Sequence, residues 1–197
     1  MEGAAVDVIE NAASQHLDAC ARFGLAVSAA GDRWDAPSPC TEWCARDLLE
    51  HVIGFHDVLL LRPLGAKPAR PRDDPIERWA VTVGALRDVF ARPGRFDGVI
   101  DVPAIGNNPP TQIDARRIVS MLTQDVVVHT WDLARAVGAD DRLDPNVCAE
   151  LVARLPEGDR LAASGMFAAP VDAPDATDPR ELLLTRLGRD PSWTPPR

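Results

Sequence analysis

A run of apolar residues from Ile118 to Ala136 is interrupted on its core-facing side by Asp125 and His129, and no other feature constrains the fold as strongly. Four residues advance a helix by slightly more than one turn, so this carboxylate and imidazole project from one face. Ile118, Met121, Leu122, Leu133 and Ala136 share that face, which marks it as the buried one. A charged or strongly polar pair on a core stripe is costly unless it is partnered. Asp125 and His129 therefore either satisfy each other and nearby polar groups, or hold a metal ion. Helix bundles commonly present metal ligands at this one-turn spacing.

A third ligand is expected from the segment Asp47 to Leu61, DLLEHVIGFHDVLLL. Leu48, Val52, Phe55 and Leu59 recur at helical spacing, with Glu50, Gly54 and Asp57 opposite them. His51 sits at one edge of the apolar stripe and His56 near the other, and periodicity alone does not choose between them. His16 is the weaker candidate, because Gln15, Asp18 and Arg22 suggest a wetter surface around it.

The chain is 197 residues long, enough for one domain with its own core. A net charge of −9 argues against nucleic acid or an anionic membrane as the main partner. The acidic start MEGAAVDVIE does not resemble a secretory signal, and apolar runs are too short and too charged to span a membrane, so a cytoplasmic protein is expected. Cys20, Cys40, Cys44 and Cys148 show neither a disulfide framework nor Cys-x-x-Cys spacing and read as reduced thiols. Lys67 is the only lysine among 21 basic residues, the mark of a GC-rich genome.

Residues 4–30 form an Ala-rich helical stretch with Val8, Ala12, His16, Ala19, Phe23 and Ala26 near helical period. A Pro-containing loop over 35–42 leads to Cys44, at the N-cap position of the next helix, with Asp47 in the partner place of a capping box. The pattern predicts a third helix over 76–91, led by Asp74-Pro75 and closed by Pro93-Gly94. Residues 95–110 read as an irregular loop with a short apolar, extended patch at 99–102. A fourth helix is expected over 111–137, stopped by Gly138, and a shorter fifth from Pro145 to Leu155. Residues 156–197 hold seven of the 18 prolines and one helical piece at 179–187. Phe167, Leu182, Leu183, Leu184, Leu187 and Trp193 are too many large apolar groups for a solvated tail. The expectation is thus an all-α, antiparallel four-helix bundle over 1–155, with the Pro-rich extension 156–197 packed on the same domain.

Two blocks carry a resemblance. Trp34 followed by residues 35–51, DAPSPCTEWCARDLLEH, resembles the pattern W-x-x-P-T-P-C-x-E/D-W-T-V-R-D-L-L-x-H, and residues 125–138, DVVVHTWDLARAVG, resemble a second block of the same family. Gly165-Met166-Phe167 and LGRDPSW over 187–193 match its usual close. The chain is similar to the DinB-like, metal-binding family that includes the N-terminal domain of mycothiol-dependent maleylpyruvate isomerase. The resemblance implies a DinB-like bundle with one divalent metal, usually zinc, held here by His51, Asp125 and His129. The isomerase has Glu at the Asp125 position, and this chain departs in carrying the shorter Asp.

Three protein ligands leave a coordination position open, as catalytic zinc sites do. The resemblance implies mycothiol as a cosubstrate there, activated as its thiolate for transfer, ring opening or isomerisation on a small electrophile. Asp132 is placed to orient an imidazole, Arg135 to meet an anionic group on mycothiol or substrate, and Trp43 and Trp131 to wall the pocket. Two other classes use the same donor set: a hydrolase that activates water, and a non-catalytic metal-binding protein.

Overall fold

In the computed structural model, residues 2–41, 43–92, 94, 96, 98–156, 160–173 and 175–196 are described, with side chains from residue 11 onward. The Val8 side chain, Glu42, Pro93 and Arg95, named above from sequence, lie outside that set. The chain is mostly helical: α1 (Glu2–Ala29), α2 (Ala45–His56), α3 (Pro75–Phe90), α4 (Ala115–Val137), α5 (Pro145–Arg154), α6 (Arg160–Ala163) and α7 (Pro179–Arg186). Two short strands, β1 (Val99–Val102) and β2 (Thr111–Asp114), pair antiparallel with Ile100 opposite Ile113.

Each helix start has a local cause. The Cys44 backbone N–H donates to Asp47 Oδ2 at 2.9 Å, so the capping box works through the N3 carboxylate. Asp74, Asp144 and Asp178 accept from backbone N–H groups of the first turns of α3, α5 and α7, and each precedes a proline at the first helical position. α4 ends where Gly138 takes φ +64° and its N–H reaches the Ala134 carbonyl. α2 does not stop at His56; it widens into a π-helical turn over Asp57–Leu61.

α4 lies against α1 and α2, and α3 contacts both α1 and α2. Phe23, Leu48, Leu49, Leu86, Ile118 and Leu122 are completely buried between them. A second apolar cluster joins Val127, Val128 and Trp131 of α4 to Leu151 of α5 and to Leu183, Leu184 and Leu187. α4 is thus buried on two sides, which explains its unbroken run of buried residues from Asp125 to Ala134.

Four sequence expectations change. α4 begins at Ala115 rather than 111, because Thr111–Asp114 pairs with Val99–Val102 and Asp114 then accepts from Arg116 N and Arg117 N as the N-cap. The extended patch expected at 99–102 is strand β1, and its pairing with β2 means that the fold is not purely helical. Met121, assigned to the core face, is 37% exposed, and His16, assigned to a wet surface, is completely buried. Among the described residues no helix is long and apolar enough to cross a membrane.

Candidate metal centre

Contact between α2 and α4 brings His51 from the first to Asp125 and His129 on the second, so that their donor atoms all lie within 4.8 Å of one another. His51 Nε2 is 3.3 Å and His129 Nε2 is 3.5 Å from the same carboxylate oxygen, Asp125 Oδ1. The other oxygen, Asp125 Oδ2, is buried and has no hydrogen-bond partner among the described residues. Two imidazole nitrogens converging on a half-satisfied carboxylate form an N,N,O donor set of the kind that suits zinc and similar divalent ions. The residues therefore fit a metal, and the orphaned oxygen is the observation that argues for one.

The second layer is denser than sequence alone suggested. His129 Nδ1 donates to Asp132 Oδ2 at 2.9 Å, which turns Nε2 toward Asp125. Asp132 is completely buried and also accepts from Arg189 Nη2 at 2.9 Å and from the Cys40 thiol at 3.2 Å. Arg189 further donates to the Leu187 carbonyl at 2.7 Å and meets Cys40 Sγ at 3.0 Å. Arg189 arrives from the segment after α7, so the end of the chain ties back to α4 under the histidine.

Charge coupling dominates the titration of this cluster. Burial alone would raise the pKa of Asp125, but the His129 charge and hydrogen bonds from His129 and His51 hold it far below the carboxylate range. Burial would lower that of His129, yet the Asp125 charge and bonds to Asp125 and Asp132 keep it well above the usual imidazole value. Asp132 is likewise held down against burial, first by Arg189. Metal and proton accordingly compete for His129 Nε2.

The cluster floors a cavity of about 480 Å³ walled by Cys40, Trp43, Phe55, Phe167 and Arg189. The His51 ring lies between Trp43, at 4.7 Å centroid to centroid, and Phe55, at 4.3 Å. Trp43 does line the pocket. Trp131 does not: it packs in the second apolar cluster, with the Arg135 guanidinium 5.2 Å over its ring. Arg135 is also turned away, donating to the Pro191 and Trp193 carbonyls and pairing with Asp141, so it corrects the expectation of an anion contact. His56 lies completely buried with His16 and Cys20 in a separate group of possible donors.

Arg189 and Cys40 are the residues that sequence reasoning passed over. Cys40 was visible within the first block and Arg189 within the closing one, but neither has a spacing that reveals its partner.

A family model described as the mycothiol maleylpyruvate isomerase N-terminal domain matches residues 16–134. Two uncharacterised proteins of Mycobacterium tuberculosis, from two strains, are each 30% identical over 171 residues, covering 84% of this chain and 90% of theirs. No solved structure gives a match. His51, Asp125, His129 and Asp132 all fall inside the matched segment, and the chain belongs to the mycothiol maleylpyruvate isomerase N-terminal domain family.

Proposed function

We propose that this protein is a metal-dependent enzyme that activates a low-molecular-weight thiol, mycothiol, against a small electrophile in the cavity above His51, Asp125 and His129. The observation that carries the reading is the convergence of two imidazole nitrogens on Asp125 Oδ1 beside its unpartnered Oδ2, at the floor of an open pocket. Helices α1–α4 are read as the four helices of a DinB-like bundle, with residues 156–197 packed on the same domain.

A divalent cation, zinc in the first instance, would supply a Lewis acid that keeps about one unit of positive charge after a single carboxylate and so favours the thiolate form of a bound thiol. The protein's own residues do the rest. Asp132 accepts from His129 Nδ1 and holds the opposite nitrogen toward the pocket. Arg189 neutralises Asp132 and keeps that carboxylate from drawing a proton off the imidazole. Trp43, Phe55 and Phe167 give the floor apolar walls. The cavity adjoins a second of about 640 Å³ that shares Phe55, Asp125 and Phe167 and is lined by Leu59, Val102 and Met121. An electrophile with an apolar body fits there. With a net charge of −9, small molecules rather than nucleic acids are the partners.

Elemental analysis of His51→Ala and His129→Ala proteins tests the ligand set, and wild-type metal content at this site in both would sink it. Calorimetric titration of the zinc-loaded protein with mycothiol at several pH values tests the chemistry. Binding with proton release is expected, and no binding at about millimolar thiol removes the mechanism.

A further inference from the structure

Beneath the cavity, between α1 and the end of α2, His16, Cys20 and His56 form a three-donor group in which every member is completely buried. Its hydrogen bonds determine where the imidazole protons sit. Thr123 Oγ1 donates its one hydrogen to the Val119 carbonyl at 2.8 Å, so at 3.0 Å it accepts from His16 Nδ1. His56 Nδ1 lies 2.6 Å from the Val52 carbonyl, which only accepts, so this nitrogen also carries a hydrogen. In the neutral imidazoles both Nε2 atoms are then bare lone pairs, and they face each other at 3.0 Å. Cys20 Sγ lies 3.6 Å from His16 Nε2, and its single hydrogen serves one nitrogen at most.

Two lone pairs at that distance repel unless a cation lies between them. A shared proton would leave an imidazolium in a setting of aromatic edges, with Phe90 at 5.7 Å from His16 and Trp79 at 5.9 Å from His56. Burial and mutual repulsion lower the pKa of His16, and burial chiefly lowers that of His56; Asp125 acts in the opposite sense on both, Asp57 does so on His56, and Arg70 reinforces the lowering there. A metal ion answers the geometry better. Donor separations of 3.0 and 3.6 Å are close to the edges of a coordination shell with metal–nitrogen bonds of about 2.0 Å and metal–sulfur bonds of about 2.3 Å. The π-helical turn that starts immediately after His56 is a device that concentrates at functional sites.

We propose that His16, Cys20 and His56 form a second, fully buried site for a d10 cation, Cu⁺ or Zn²⁺, bound by two imidazole Nε2 atoms and one thiolate. On binding, the Cys20 S–H bond breaks, its proton leaves to solvent, and a metal–sulfur bond forms with no change of oxidation state. Thiolate and imidazole donors select these two ions. One thiolate makes the Cu⁺ complex neutral, the cheaper charge to bury, whereas Zn²⁺ leaves a positive charge that Asp125 partly offsets. The ion would clamp α1 to α2 behind the proposed catalytic centre without contacting substrate.

The test is metal stoichiometry of the full-length, reduced protein reconstituted separately with Zn²⁺ and with Cu⁺, combined with X-ray absorption at the metal edge. Two equivalents in the wild type are expected. His129→Ala should keep one, with a sulfur neighbour, and this sulfur should persist in Cys40→Ser and vanish in Cys20→Ser. Whichever ion retains the sulfur signal at stoichiometric loading identifies the occupant. One equivalent that His129→Ala removes, or a shell without sulfur in the wild type, overturns the proposal in favour of a shared proton. One equivalent that survives His129→Ala but is lost in Cys20→Ser supports this site while removing the thiol-activating centre. Because the wild-type stoichiometry and spectrum decide first, a misfolded variant does not rescue the idea.

Discussion

His129 Nδ1 donates to Asp132 Oδ2 at 2.9 Å from one turn away on the same helix, and the same oxygen accepts from Arg189 Nη2 at 2.9 Å. One completely buried carboxylate therefore orients the histidine and anchors the end of the chain. The proposed metal site and the packing of the chain's end meet at Asp132.

Arg189→Met should expose that link. It leaves Asp132 buried with one charge partner removed, and breaking a buried pair this way costs about 3–5 kcal/mol. Urea unfolding checks it. A double-mutant cycle with Asp132→Asn should recover part of the loss, and strict additivity of the two would show that the pair is not coupled. Asp132→Asn alone should weaken metal binding about 10–100-fold by loosening His129.

Leu183→Ala tests whether the extension is integral to the fold. Leu183 is completely inaccessible in the second apolar cluster, so truncation should cost about 2–5 kcal/mol in chemical denaturation. Wild-type protein should also resist rapid proteolytic removal of everything after Leu155. A stability unchanged by the substitution would mean that the extension does not dock in solution.

Gly188→Ala should destabilise more than a surface change. Gly188 has φ +78°, and an added Cβ would lie 2.7 Å from Ala168 Cβ and 2.9 Å from the Ala169 carbonyl. The left-handed backbone alone costs about 1–2 kcal/mol, and the clash adds to it. Because Gly188 precedes Arg189, the variant should lose metal affinity together with thermal stability. An unchanged melting temperature would argue against this turn.

Alkaline pH should weaken the fold through Cys148. Burial, and then the nearby Asp144 charge, push its thiol from the ordinary value of 9.0 up to about 11. The folded state thus keeps a proton that the unfolded chain gives up. The stabilisation is intact below about pH 9 and is lost as pH rises toward 11. The urea midpoint of the metal-free protein should fall across that window, and Cys148→Ala should flatten the fall. Cys148 should also resist alkylation at neutral pH, where the thiolate is the reactive form.

Local chemistry was legible in the chain itself. The one-turn spacing of Asp125 and His129, the Asp-Pro starts of α3 and α5, the stop at Gly138 and the apolar stripe carrying His51 are effects of neighbours within a few residues, and such effects are written in order along the sequence. Pairings between distant segments were not. Thr111–Asp114 has nothing in its own sequence that excludes a helix; its strand state comes from Val99–Val102 lying beside it. Gln15, Asp18 and Arg22 made His16 look wet, yet packing of α1 on α4 and α3 closed over it and set its Nε2 against His56. Arg189 stands 57 residues from Asp132, and only the path of the extension over α5 places them in contact. Burial and long-range charge pairing depend on what the rest of the chain covers, so tertiary structure alone decided which histidines face the cavity, which face each other, and which arginine holds the site together.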